Sequence, residues 1–214
     1  MLGADLRERT ASFTAPVGRF IARSGIPPNA FTLLAIPVAG IAAVAFAGGH
    51  LALGATFMLL AFVTDAFDGA VARAQKRVSK FGNYLDAMVD KYVEIIPFVG
   101  LAILGYGLES FLVISGSLVL SYAKPRAALV VVLDNHDWPA IGERIDRTAL
   151  IVAGILLAWI WPSFTLGGVT FNTLSTALYL VTVVVFVGSV QRVLYAKKLI
   201  ETGTPVPPAP PARG

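Results

Sequence analysis

The chain has 214 residues, of which 56% are hydrophobic and 14% charged, with no cysteine and two histidines. That length would suit one soluble domain, but so apolar a composition, with a mean hydropathy of +0.74, belongs to integral membrane proteins. Disulfides and thiolate metal sites are excluded, and His50 and His136 alone cannot build an imidazole cage.

Residues 1–25 place Leu6, Phe13, Val17, Phe20 and Ile21 at roughly helical spacing among Arg7, Arg9, Arg19 and Arg23. This pattern predicts an amphipathic helix lying on an anionic membrane surface, with a solvated helical lead-in as the plainer reading. No charged-then-apolar stretch with a cleavage site precedes it, so the first membrane segment is expected to be retained. Ser24, Gly25, Ile26, Pro27 and Pro28 then interrupt the helix, and Asn29 can cap the next one.

Six apolar segments follow, at roughly 30–48, 51–72, 83–106, 110–133, 147–162 and 172–195. Most approach the ~20 residues that cross ~30 Å of hydrocarbon. The fifth is the shortest, and Trp159, Trp161 and Phe164 at its end read as an interface belt. The expected fold is all-α and polytopic: an interfacial segment over 1–25, a six-helix transmembrane domain over 26–200, and a disordered Pro-rich tail over 201–214. No internal repeat is visible.

The net charge of +4 is modest, but its placement is not. All 17 Lys and Arg fall near the N-terminus, the 73–82 turn, the 134–146 loop, the C-terminus or the helix ends beside them. None falls in the three opposite connections at 48–50, 105–110 and 162–171. The positive-inside bias therefore predicts a multi-pass protein of the cell membrane with both termini on the cytoplasmic side. A nucleic-acid partner is not expected.

Four carboxylates, Asp65, Asp68, Asp86 and Asp90, sit at that cytoplasmic end within very apolar sequence. A carboxylate there is costly unless a cation or a wet cavity receives it. Asp65 and Asp68 are i,i+3 on one helix and Asp86 and Asp90 i,i+4 on the next, so each pair shares a face. Gly69 and Gly82 would let the two helices, or a ligand, come close. Two facing carboxylate pairs make a hard-cation site of the Mg²⁺ or Mn²⁺ type. The competing reading pairs these acids with Arg73, Lys76, Arg77, Lys80 and Lys91 as snorkelling charges. Four acids in so short a stretch exceed what anchoring requires. Glu94, one turn past Asp90, faces either the polar cavity or a hydrogen-bonded partner on another helix. His136, between Asp134 and Asp137, reads as part of a solvated loop rather than a second metal site.

As a pattern the stretch is D-x2-D-G-x2-A-R-x8-G-x3-D-x3-D, carried by Asp65, Asp68, Gly69, Ala72, Arg73, Gly82, Asp86 and Asp90. It resembles the signature of the CDP-alcohol phosphotransferases, membrane enzymes that build phospholipids from CDP-activated lipids. The six segments, the amphipathic lead-in and the Pro28-Asn29 pair before Thr32 extend the resemblance over roughly residues 1–200. The resemblance implies that an acceptor alcohol attacks the lipid-bound phosphorus and displaces CMP, with divalent metal neutralising the diphosphate. It makes Asp65, Asp68 and Asp86 metal ligands, with Asp90 beside them as general base for the acceptor hydroxyl. Two Mg²⁺ or Mn²⁺ ions are expected. Pro28, Thr32, Asp65, Asp68, Gly69, Arg73, Ser79 and Asp86 would bind the CDP-lipid, CDP-diacylglycerol or CDP-archaeol, whose tails lie in a groove open to the bilayer. Homodimers are common in the family.

The acceptor must be read from the later helices. Lys124 and Arg126 lie near the end of the fourth segment, Arg144 and Arg147 open the fifth, and Arg192 closes the sixth. Converging guanidinium and ammonium groups suit a phosphorylated acceptor, although positive-inside anchoring alone would also supply them. The SYxKxR and GERxxR patterns, with a later QR, are similar to the phosphatidylinositol-phosphate synthase branch and its archaetidylinositol counterparts. That branch uses inositol 1-phosphate, and its matching residues would be Lys124, Arg144 and Arg192, with Arg126 and Arg147 accessory. Pro125 departs from the pattern and is expected to kink the helix beside Lys124. Glycerol 3-phosphate is the alternative acceptor. Outside the class, a cation transporter would need carboxylates near the bilayer midplane on broken helices, and an Asp-rich prenyltransferase would not share the D-x2-D-G-x2-A-R context.

Overall fold

The computed structural model of the chain describes residues 25–133 and 141–204, with residues 16, 19, 22 and 23; at positions 65, 66 and 68 it describes the backbone alone. Most of the expected interfacial helix over 1–25, the loop holding His136 and the tail from 205 lie outside the described residues.

Among the described residues, six long helices carry the fold. α1 is Pro28–Ala47, α2 Leu51–Ala74, α3 Lys80–Ile103, α4 Gly107–Ala127, α5 Arg144–Ile160 and α6 Thr173–Thr202. Asn29 does not cap α1. Pro28, whose fixed φ suits the first helical turn, starts the helix two residues earlier behind Pro27, and no described side chain caps it. Pro125 lies inside the last turn of α4, and the helix runs on to Ala127. α6 continues past the expected domain boundary to Thr202.

Among the described residues, three helices are long and apolar enough to cross a membrane by length and composition: Pro28–Ala47, Leu51–Ala74 and Thr173–Thr202. α5 is only 17 residues long, and charged or polar residues interrupt α3 and α4. Much of the surface is apolar, Leu33, Leu34, Val44, Leu180 and Val193 among it, as lipid contact requires.

The turns α1–α2 and α3–α4 close with paired bonds, Gly49 N–H to Phe46 O and His50 N–H to Ala45 O, then Gly105 N–H to Ala102 O and Tyr106 N–H to Leu101 O. Gly49 and Gly105 supply the left-handed φ of +78° and +116° that such helix ends use. α2 ends in the same way, through Lys76 N–H to Arg73 O and Arg77 N–H to Ala72 O. There a lysine takes the left-handed position, φ +54°.

The stretch 162–171, expected as a plain connection, instead forms a hairpin, so the chain is not purely α. β1 (Ser163–Leu166) pairs antiparallel with β2 (Val169–Asn172), Phe164 opposite Phe171 and Leu166 opposite Val169. Alternating apolar residues around Gly167-Gly168, both at positive φ, are a hairpin signal. The two phenylalanine rings stack at 5.5 Å.

α1 lies against α2 and α3, while α6 receives α4 and α5; α2 also meets α5, and α3 meets α4. The first three helices close over Ala35, Ala39, Ala61, Val89 and Val93. Alanines let backbones approach where apolar burial against lipid gives no driving force. At Gly100 of α3 the space for a Cβ is taken by the Ala43 carbonyl of α1. A larger core around Phe46, Phe98, Leu101, Ile155 and Leu178 joins the two halves. This up-and-down order brings the start of α1, end of α2, start of α3, end of α4, start of α5 and end of α6 to one side.

Candidate active site

At that side the start of α1, the end of α2 and the turn into α3 enclose a cavity of about 330 Å³. Pro28, Thr32, Gly69, Arg73, Ser79 and Asp86 all line it, six residues the sequence pattern had assigned to one ligand. Each owes its place to a local feature. Ser79 caps α3, its hydroxyl accepting from Gly82 N–H at 2.9 Å. Thr32 turns its hydroxyl back to Pro28 O at 3.2 Å. Gln75 Nε2 donates to Ile26 O at 2.8 Å, tying the turn to the lead-in of α1.

The two motif glycines, expected to let the two helices or a ligand come close, both line the cavity. A Cβ at Gly69 would lie 3.2 Å from Arg73 Nη1, so the glycine gives Arg73 room to fold back along α2. A Cβ at Gly82 would lie 3.0 Å from Ser79 Oγ and 3.2 Å from Asn29 Oδ1. On α3 the close approach to another helix is made at Gly100. The cavity also holds Asn29, Arg77, Val78 and Asn83, which the sequence reading did not assign to it. Ser79, Gly82, Asn83 and Asp86 recur at i, i+3, i+4 and i+7, the spacing of one helix face, and that signal was available for Asn83.

Asp65 and Asp68 lie in the last turns of α2, Asp68 next to the lining residue Gly69. Asp90 follows Asp86 by one turn of α3 and points to another helix. Its carboxylate is in ionic contact with Arg144, and lies 3.7 Å from Lys91 Nζ. The Arg144 guanidinium also sits over the Phe62 ring of α2, 4.6 Å from its centre. The candidate base and a candidate acceptor-binding residue are thus brought together across α3 and α5.

The other basic residues part company. Arg126 is exposed and Lys124 half-buried at the end of α4. Arg192 is 8% exposed; it donates to Leu120 O at 2.8 Å and meets Glu143 Oε1 at 3.3 Å. Arg147 is the most enclosed, 3% exposed. It donates to Glu94 Oε1 at 2.5 Å and Gly142 O at 3.0 Å. Its guanidinium, expected to be accessory to an acceptor phosphate, is turned to a protein carboxylate.

Acidic, amide, hydroxyl and guanidinium groups thus line a cavity at the charged end of apolar helices, a setting for a polar ligand. Residues 26–195 match the family described as CDP-alcohol phosphatidyltransferase, and the chain belongs to that family of transferases. The archaetidylinositol phosphate synthase of Pyrococcus horikoshii is 31% identical over 191 residues, covering 87% of this chain and 92% of its own length. The phosphatidylinositol phosphate synthase of Mycobacteroides abscessus is 32% identical over 167 residues, 74% of either chain. Among solved structures, Mycobacterium tuberculosis phosphatidylinositol phosphate synthase with CDP-DAG bound superposes with a TM-score of 0.70 at 26% identity, over 86% of this chain and 92% of that one. The same enzyme in complex with manganese and citrate gives 0.70 at 25% identity, over 86% and 88%.

Proposed function

We propose that the protein transfers a diacylglycerol-phosphate or archaeol-phosphate group from its CDP-lipid to a hydroxyl of inositol 1-phosphate, releasing CMP. The observation that carries this reading is the placement of Arg144 on Asp90 beside the cavity. A phosphorylated alcohol held by Arg144 meets a carboxylate able to take its proton. The names of the two relatives support the choice of inositol phosphate.

In this reading Pro28, Thr32, Gly69, Arg73 and Ser79 hold the cytidine and diphosphate of the CDP-lipid. Asp90 accepts the proton of the acceptor hydroxyl, whose oxygen bonds to the lipid-bound phosphorus as the bond to the CMP oxygen breaks. Lys124, Arg144 and Arg192 receive the acceptor phosphate, with Arg126 on the exposed rim. The carboxylates now against Arg144 and Arg192, those of Asp90 and Glu143, mark the faces where that anion would bind.

The oxygen-rich lining around Asp86 suits a hard divalent cation. Asp86 opens on the cavity with hydroxyl and amide oxygens around it, and Asp68 adjoins a lining residue. Asp65, Asp68, Asp86 and Asp90 would hold two Mg²⁺ or Mn²⁺ ions, which supply charge neutralisation at the diphosphate when bound.

All six helices are proposed to cross the cell membrane, α3 to α5 carried by packing against the more apolar three. The aspartate end and both termini then face the cytoplasm, as the basic residues favour. A homodimer rests on the family resemblance alone.

The test is CMP release from CDP-diacylglycerol and from CDP-archaeol by the purified protein with Mg²⁺, comparing inositol 1-phosphate with glycerol 3-phosphate. Release that depends on inositol 1-phosphate is expected. Release with glycerol 3-phosphate alone would keep the transferase and replace the acceptor; release with neither would overturn the phosphorylated acceptor.

A further inference from the structure

Glu94 lies one helical turn beyond Asp90, further along α3 from the cavity, and α5 meets it directly and α4 through Lys91. Its Oε1 takes Arg147 of α5 at 2.5 Å, and its Oε2 takes Lys91 at 3.1 Å. Lys91 Nζ in turn donates to Ser121 Oγ of α4 at 3.1 Å. Ser121 stands one turn before Lys124, and Arg147 one turn after Arg144. Two of the three helices that would present the acceptor phosphate with cations are therefore tied, α5 directly and α4 through Lys91, to one carboxylate on the helix that presents the base.

We infer that Glu94 is a positioning residue for the acceptor site, an inference that rests on the proposed reaction. It does not touch the reacting atoms. α3 and α5 face each other through two successive ion pairs, Asp90 with Arg144 and Glu94 with Arg147. An arriving phosphate must draw Arg144 at least partly from Asp90. The second pair keeps α5 in register while the first opens, because Glu94 is 14% exposed and Arg147 3%, out of reach of a soluble anion.

Arg147 carries the same restraint back along the chain. Its Nη1 donates to Gly142 O at 3.0 Å, Gln191 Oε1 accepts from Ile141 N–H at 3.0 Å, and Arg192 meets Glu143. The short segment before Arg144 is thereby held residue by residue. A void of about 20 Å³ lies beside both ion pairs, lined by Phe62, Glu94, Arg144 and Arg147 among others. That is room for one water rather than for a substrate.

The experiment measures initial rates of CMP release by the full chain in lipid nanodiscs, varying inositol 1-phosphate and CDP-lipid separately. Glu94→Gln is expected to raise the acceptor KM by about 10- to 100-fold, the cost of slight misplacement at a site, with the CDP-lipid KM within about twofold. Glu94→Asp should recover part of the loss. Ser121→Ala, which cuts only the α4 arm and leaves the buried pair intact, should raise the acceptor KM by about threefold. Arg147→Met combined with Glu94→Gln should do no more harm than either alone, because both act through one contact.

A CDP-lipid KM that rises as much as the acceptor KM, or variants that only melt earlier at unchanged KM, would overturn the role of Glu94 and leave the reaction standing. Wild-type protein indifferent to every phosphorylated acceptor would instead overturn the reaction itself. Binding of inositol 1-phosphate by calorimetry gives a readout free of turnover, and it should weaken in Glu94→Gln by the same factor as KM rises.

Discussion

Arg144, the first residue of α5, rests its guanidinium on the carboxylate of Asp90 in α3 and its flat face over Phe62 of α2. One side chain so bridges three helices at the mouth of the fold. A guanidinium offers several donors in a fixed plane, so it can hold a carboxylate and still address a phosphate. Arg144→Ala is expected to raise the acceptor KM at least about tenfold, from loss of a charge-assisted pair. The CDP-lipid KM should stay near its original value. Steady-state kinetics with each substrate varied in turn checks this, and an equal rise in both would make Arg144 a brace of the fold.

Asp90 carries the complementary expectation. As the proposed general base it would contribute to the rate rather than to binding, and such groups are worth about 10²–10⁴-fold. Asp90→Asn keeps the shape and removes the proton acceptor, so turnover should fall by about that factor while CDP-lipid binding survives. CMP release alongside equilibrium binding of the nucleotide lipid separates the two. Full activity in the variant would remove Asp90 from the chemistry.

The cavity residues Pro28, Thr32, Gly69, Arg73, Ser79 and Asp86 were named by the family resemblance. Spacing by itself says only that Ser79, Gly82, Asn83 and Asp86 share a face of α3. The long apolar helices were legible from composition, three of them long and apolar enough to cross a membrane, and the turns at Gly49 and Gly105 from their glycines. What the sequence did not disclose is long-range. Nothing in the spacing of Glu94 and Arg147 says that these two side chains meet, and Arg147 therefore read as one more cation near an anion. Asn29 misled for a different reason: it is a good helix cap, but a proline before it fits the first turn as well and starts the helix earlier. The hairpin at 163–172 carried its own alternation, masked by the expectation of a loop between membrane helices.

Metal removal should act on nucleotide binding as well as on rate. In the proposed reading Asp65, Asp68 and Asp86 hold the metal, so its removal leaves the diphosphate of a CDP-lipid facing like charge. Chelation by EDTA is expected to weaken CDP-lipid binding, with Mg²⁺ or Mn²⁺ restoring it. In Asp68→Asn the metal-dependent part of that binding should be lost. Titration of the nucleotide lipid with and without EDTA makes the comparison, and equal affinity under both conditions would argue against a metal bridge.

Two glycines on α3 should fail in opposite ways. Gly100 packs on the Ala43 carbonyl of α1, so Gly100→Ala forces the helices apart at a cost of about 1–3 kcal/mol. The melting temperature should fall by several degrees, at about 2–4 °C per kcal/mol for a chain of this size. The substrate KM values should change little, since the contact lies far along the helix from the cavity. At Gly82 a new Cβ would press on Ser79 Oγ and Asn29 Oδ1, both movable side-chain atoms in the cavity wall. Gly82→Ala should therefore leave the melting temperature nearly unchanged and raise the CDP-lipid KM. Thermal melting and CMP release on the same two variants test the contrast. If Gly82→Ala melted early at normal KM, the glycine would be serving the α3 cap rather than the ligand.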